Sequence, residues 1–300
     1  EVPLNLEREG LTDLIVSHLK LKCGPPDLVE WEETLATMRN PSGTVVIGIC
    51  GKYTGLHDSY KSIIEAFVHA GIVNNVKVDL RWIDSEKVTA ESVGRLLEGI
   101  SGLLIPGGFG DRGIEGKIAA VSYVRENDIP FFGICLGMQC AVIEFARGKL
   151  GLRGANSSEF SPRTKHPVID LLPEQKNLHD LGGTMRLGAQ PCHIQPGSRA
   201  YGIYGQELIS ERHRHRYEFN NLYRERFEKG GMKFGGLSPD HKLVEMIEIP
   251  ENRWFIGCQF HPELKSRFTK PHPLFRDFVK AAVEYQAECV ATSVEVPPET

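Results

Sequence analysis

Phe132-Gly133-Ile134-Cys135-Leu136-Gly137-Met138-Gln139 is an apolar run that breaks at G-x-C-x-G and continues as a helix-forming stretch. A strand that turns at once into a helix displays the residue at the turn as a nucleophile, and its flanking glycines keep Cβ atoms out of a sharp bend. The helix N-terminus behind Cys135 favours a thiolate. A buried structural cysteine fits the same eight residues. A thiolate nucleophile needs a proton shuttle, and Gln259-Phe260-His261-Pro262-Glu263 follows a second apolar run. There His261 would carry the proton and Glu263 would orient its ring. After a third apolar run, Pro106-Gly107-Gly108-Phe109-Gly110 could turn backbone N–H groups towards a developing oxyanion. A histidine at a strand end or a glycine turn is by itself commonly structural. Open α/β sheets, however, build their sites beyond the carboxyl ends of strands, and three such ends with matching chemistry point to acyl transfer.

The elements that must position these residues follow from periodicity. From residue 44 onward, short β-branched runs alternate with amphipathic stretches: strands over 44–49, 76–83, 103–105 and 130–134, and helices over 59–70, 91–98, 114–126 and 136–147. That alternation predicts βαβ units in a doubly wound parallel sheet. Beyond Gly148 the pattern loosens into Gly-, Ser- and Pro-rich loops. Strands of antiparallel character are expected around 185–194, 212–218, 232–238, 243–248 and 254–260, with a last helix over 274–288. Before residue 44 only 11–21 has helical periodicity. Cys23-Gly24-Pro25-Pro26 and the polar stretch ending in Asn40-Pro41-Ser42-Gly43 have linker chemistry.

Composition narrows the partners. The chain has 300 residues, 41% hydrophobic and 25% charged, which excludes disorder as its main state. Thirty-five basic against 39 acidic residues leave a net charge of −4, so nothing calls for a nucleic-acid backbone or an anionic membrane. The longest apolar runs have strand length, too short to span a bilayer. Seven cysteines, an odd number spread through apolar segments, read as reduced thiols in a cytoplasmic protein. No Cys/His group has zinc-site spacing. Gly48-Ile49-Cys50-Gly51-Lys52-Tyr53 lacks phosphate-loop and dinucleotide spacing and reads as a turn. An opening Glu1-Val2-Pro3, without Met or a signal pattern, reads as a fragment of a longer chain.

At the three strand ends the chain resembles the class I glutamine amidotransferases, with Cys135, His261 and Glu263 as the triad. Within that family it is most similar to the CTP synthase group. That likeness is carried by Pro106-Gly107-Gly108-Phe109-Gly110-Asp111-Arg112-Gly113, the Cys135 segment, Asn156-Ser157-Ser158-Glu159-Phe160, Gly182-Gly183-Thr184-Met185-Arg186-Leu187-Gly188, Glu211-Arg212-His213-Arg214-His215-Arg216-Tyr217-Glu218 and the His261 segment.

The resemblance implies a flavodoxin-like α/β fold, an open and mostly parallel twisted sheet flanked by helices. It implies an amidotransferase domain over 44–288, preceded by the end of an upstream synthetase (amidoligase) domain over 1–25 and a linker over 26–43, and followed by a disordered tail over 289–300. Gly108 and Leu136 would form the oxyanion hole. Glutamine would be bound by these two with Gly137, Met138, Gln139, Glu159 and Arg216, the last two holding its α-ammonium and α-carboxylate. Read from the residues alone, Glu159 could be a loop carboxylate and Arg216 part of a solvated strand face. The implied activity is release of ammonia from L-glutamine through a cysteine thioester, feeding an ATP- and Mg²⁺-dependent amination of UTP to CTP. This domain would need no metal. Allosteric GTP would act on the whole enzyme, with Phe109, Arg112 and Glu115 helping to form the responsive surface, whereas 172–180 has no match to the family's nucleotide-contacting loop. The whole enzyme would be a homotetramer. The competing readings are another class I amidotransferase, of the GMP or anthranilate synthase type, and a noncatalytic assembly module.

Overall fold

The computed structural model describes residues 1–52, 54–171 and 185–294, and the statements below concern those residues. Strands β1 (Gly43–Gly51), β2 (Val76–Asp84), β3 (Gly102–Ile105), β4 (Phe131–Ile134) and β12 (Phe255–Cys258) lie parallel in the order β2-β1-β3-β4-β12. Strands β11 (Val244–Glu248), β10 (Lys233–Leu237), β7 (Arg186–Ile194) and β8 (Leu208–His215) extend the same sheet in antiparallel fashion, to nine strands. A small second sheet pairs β5 (Asn156–Ser157), β6 (Pro167–Asp170) and β9 (Glu218–Phe219). The fold is thus the open, mostly parallel α/β sheet expected.

The parallel strands are short and apolar throughout because both faces are covered. On one face α4 (Lys61–Val73), α8 (Arg199–Tyr204) and α10 (Pro273–Val294) pack over Val45, Ile47, Ile49, Phe132, Ile134 and Ile256. Phe132 is the hub, with ring centroids 5.3 Å from Phe275 and 5.6 Å from Trp254. On the other face α5 (Val93–Leu97), α6 (Ile114–Glu126) and α7 (Leu136–Gly148) close over Leu103, Ile105 and Phe131. The helix expected over 114–126 is α6, residue for residue.

Three differences have physical causes. The polar stretch read as linker forms α3 (Val29–Arg39), whose Leu35 is buried and whose Trp31 stacks on Phe268 at 5.0 Å. Two anchors on the core outweigh a poor helical pattern. Ahead of it lie two short helices, α1 (Val2–Arg8) and α2 (Leu11–His18), where one was expected. The last helix continues through Val294, so the first six residues of the expected tail, 289–294, are helical; Arg253 in the preceding loop holds this end through a bidentate pair with Glu288 at 2.7 Å. The remainder of that tail and the 172–180 loop lie outside the described residues. The small sheet, α8 and the last short helix of this region, α9 (Arg224–Lys229), escaped sequence reading because they are brief and lack a long hydrophobic period.

Candidate active site

Strands β3, β4 and β12 are neighbours, so their carboxyl ends deliver Pro106–Gly110, Cys135 and Gln259–Glu263 to one place. Cys135 has φ 51° and ψ −102°, a backbone conformation that a side chain rarely adopts outside tight functional turns. Its N–H donates to the Cys258 carbonyl at 2.7 Å, tying the elbow to β12, and its carbonyl accepts from Gln139 N–H at 3.1 Å, starting α7. The glycines beside it are steric requirements. A Cβ on Gly133 would lie 2.7 Å from the Gly137 carbonyl carbon, and one on Gly137 would run into the Ile105 carbonyl oxygen.

His261 stands across the elbow. Its Nδ1 lies 2.8 Å from Glu263 Oε1, while Nε2 has no conventional hydrogen-bond partner and faces the electrostatic influence of Cys135. Burial by itself lowers the imidazole pKa, but Cys135 and Glu263 together overcome that and push it up to about 10. The ring is therefore an imidazolium at neutral pH, paired on one side with a carboxylate and on the other with the sulphur. Gly107 leaves room for it, because a Cβ there would sit 2.7 Å from His261 Cε1. The His261 N–H donates to the Arg212 carbonyl at 2.8 Å, which also places β8 against the site.

The first-turn N–H groups of Leu136, Gly137 and Met138 have no partner within the helix, as at any helix start. Gly108 faces Leu136 from the opposite loop, with 3.3 Å between the position of a Gly108 Cβ and Leu136 Cδ2. Leu136 and Met138 turn their side chains into the core, Met138 against Gly257. What these two and Gly137 can offer to a ligand is backbone.

A cavity of about 310 Å³ opens on Cys135 and is lined by Gly108, Phe109, Gln139, Glu159, Arg216 and Tyr217 among others. Glu159 and Arg216 are thus brought together in one cavity, as expected. Glu159 Oε1 accepts from Gly110 N–H at 3.3 Å, and burial raises its pKa against the opposing pull of that bond, Lys52 and Arg216. The strand-face alternative for Arg216 fails by geometry. Along β8, Arg212 and Arg214 are exposed and His213 and His215 are buried, but at Arg216 the strand has ended and its side chain is half-buried.

Some contributors had no sequence signal. Lys52, in a segment read as a plain turn, donates to the Gly110 carbonyl at 2.9 Å and holds the glycine loop. Tyr217 and Met185 line the cavity through tertiary placement alone. Of the residues associated with GTP, Arg112 pairs with Glu86 at 2.7 Å and Glu115 with Arg147 at 2.7 Å, while exposed Phe109 lies beneath the Arg214 guanidinium at 5.6 Å. Beneath the site, Arg186 bridges Glu218 at 3.3 Å and Glu245 at 2.7 Å, and the His213 and His215 rings meet at 2.9 Å.

A family model described as glutamine amidotransferase class-I matches residues 56–281. The chain belongs to the class I glutamine amidotransferases. Within them, the glutaminase domain of the Trypanosoma brucei CTPS, solved with bound acivicin, is 38% identical with a TM-score of 0.76, covering 80% of this chain and 94% of that one. The CTP synthase of Ruminiclostridium cellulolyticum is 57% identical over 96% of this chain and 54% of that protein. That of Carboxydothermus hydrogenoformans is 56% identical over 95% and 53% respectively. This amidotransferase chain thus spans about half the length of the curated relatives it matches. A GMP synthase subunit from Thermoplasma acidophilum, 17% identical over 84% of this chain and 98% of that one with a TM-score of 0.50, shares the fold.

Proposed function

We propose that this chain is the glutaminase half of a CTP synthase. Cys135 attacks the carboxamide carbon of L-glutamine, and the oxyanion that forms takes hydrogen bonds from the N–H groups of Gly108 and Leu136. Donors of this kind contribute on the order of 3 kcal/mol each in comparable acyl transfer. Protonated His261 gives its proton to the departing nitrogen, releasing ammonia and leaving a γ-glutamyl thioester on Cys135. His261, now neutral, takes a proton from water as that water attacks the thioester; glutamate leaves, and the proton returns the pair to its starting state. Glu263 keeps the imidazole oriented throughout.

Glu159 and Arg216 bind the α-ammonium and α-carboxylate, with Gln139 completing the pocket. The pairing of these opposite charges in one small cavity with the strained cysteine is the observation that carries the reading. By likeness to the relatives named above, the ammonia passes to a synthetase domain that uses ATP and Mg²⁺ to aminate UTP, under allosteric GTP, in a cytoplasmic homotetramer. No described helix is long and apolar enough to cross a membrane. The identity to CTP synthases favours this acceptor over the guanine or anthranilate alternatives, and the assembled triad argues against a purely structural module.

The test is glutamate release from L-glutamine, measured on the chain joined to its synthetase partner. Activity lost in a folded Cys135→Ala variant is expected; glutaminase activity at the wild-type level would refute the assignment.

A further inference from the structure

Gln259 is wholly buried, and its side-chain amide lies between the reactive sulphur and Gln139. Its Nε2 is 3.6 Å from Cys135 Sγ, within hydrogen-bond range for sulphur, and its Oε1 is 3.2 Å from Gln139 Nε2. The same Gln139 Nε2 donates to the Tyr217 carbonyl at 3.2 Å.

The direction of this chain follows from chemistry. A backbone carbonyl can only accept, so the end of Gln139 that meets Tyr217 must be its NH₂ group. That NH₂ group can only donate to Gln259, which must therefore present its oxygen to Gln139 and its own NH₂ to the sulphur. A donor held against sulphur favours the thiolate over the thiol.

We infer that Gln259 is a positioning residue for the nucleophile: an oriented amide, set by Gln139 and the Tyr217 carbonyl, that donates to Cys135 Sγ and stabilises the thiolate on the side away from His261. The inference rests on Cys135 being the nucleophile and deepens that reading. It also gives Gln139 a second task, since its amide orients Gln259 as well as lining the cavity.

Gln259→Met tests it, because methionine keeps the length and much of the volume of glutamine and removes the donor. The readout is the rate of Cys135 alkylation by iodoacetamide against pH, resolved by peptide mass spectrometry because Cys23 and Cys289 are also exposed. The midpoint in Gln259→Met is expected to rise by about one pH unit, which is a tenfold slower labelling on the acidic limb. Glutamine kcat should fall while KM changes little. Gln139→Met should move the midpoint in the same direction, by less. A labelling profile in folded Gln259→Met that superimposes on the wild type would overturn the inference. A different failure, wild-type glutaminase activity in Cys135→Ala, would instead remove the reading on which it rests, and the labelling profile would still report separately on the amide.

Discussion

At the scale of single residues, the site is governed by how Cys135, His261 and Glu263 share charge. An imidazolium with a pKa near 10 can act as a proton donor from the outset, so the resting enzyme needs no proton transfer before attack. The Glu263 carboxylate is one of the groups holding that proton, so Glu263→Gln should lower the His261 pKa and move the alkaline limb of the glutaminase profile to lower pH. His261→Ala should be worse than Glu263→Gln by on the order of 100-fold in kcat, as removing a proton shuttle exceeds removing its orienting acid. Steady-state rates across pH check both statements, and equal losses would mean the roles are misassigned. The sign for stability is the same: because the folded pKa lies above the unfolded value of about 6.5, the pairing stabilises fully below that value and is lost as pH rises towards 10.

Arg216 makes the second prediction at this scale. A site built for a zwitterion leaves a buried charge unmatched when its partner is missing. Arg216→Ala should raise the KM for glutamine roughly 10- to 100-fold, the scale of one charge-assisted hydrogen bond. Labelling of Cys135 by a small neutral alkylator should stay near the wild-type rate. An unchanged KM would show that Arg216 does not touch the substrate.

At the scale of elements, the elbow depends on close approach between β3 and α7. Gly137 sits against the Ile105 carbonyl, so Gly137→Ala must push the helix away from the strand. Overpacking of this kind costs about 1–3 kcal/mol, and it should also disable glutamine hydrolysis by displacing the Leu136 N–H. Urea unfolding and activity assays on the same preparation would test this; a variant with native stability and activity would contradict it. The antiparallel part of the sheet contributes from the other side. His213, pushed down to about 3 chiefly by burial, is neutral beneath the site, and its neighbour His215 is pushed down as well. A depressed base of this kind stabilises the fold above about pH 6.5 and loses that contribution as pH falls towards 3.

At the scale of the whole molecule, the cysteine chemistry is confined to the carboxyl ends of three strands, while helices α1 to α3 precede the sheet and contribute no residue to the cavity. In an enzyme that joins this amidotransferase to a synthetase, Cys135→Ala should abolish glutamine-dependent CTP formation and leave ammonia-dependent formation largely intact. Assays with ammonium chloride in place of glutamine would decide, and loss of both activities in a folded variant would place Cys135 outside the ammonia-generating step alone.

Much of this arrangement was legible in the chain itself. Short apolar strands alternating with amphipathic helices dictate a parallel sheet covered on both faces, because neither element can otherwise bury its apolar surface. G-x-C-x-G directly after one of those strands determines the elbow, since no other residue fits where Gly133 and Gly137 meet the backbone. Features that depend on distant segments meeting were decided only in three dimensions. The helix over Val29–Arg39 forms because Leu35 and Trp31 find partners far along the chain, and the buried Arg186–Glu218–Glu245 group joins three strands that are separate in sequence. Lys52 reaches the glycine loop, and Gln259 reaches Cys135, across spans that leave no local pattern. Periodicity reports the environment of an element, whereas the partner of a single polar side chain is set by packing, and that is a property of the folded whole.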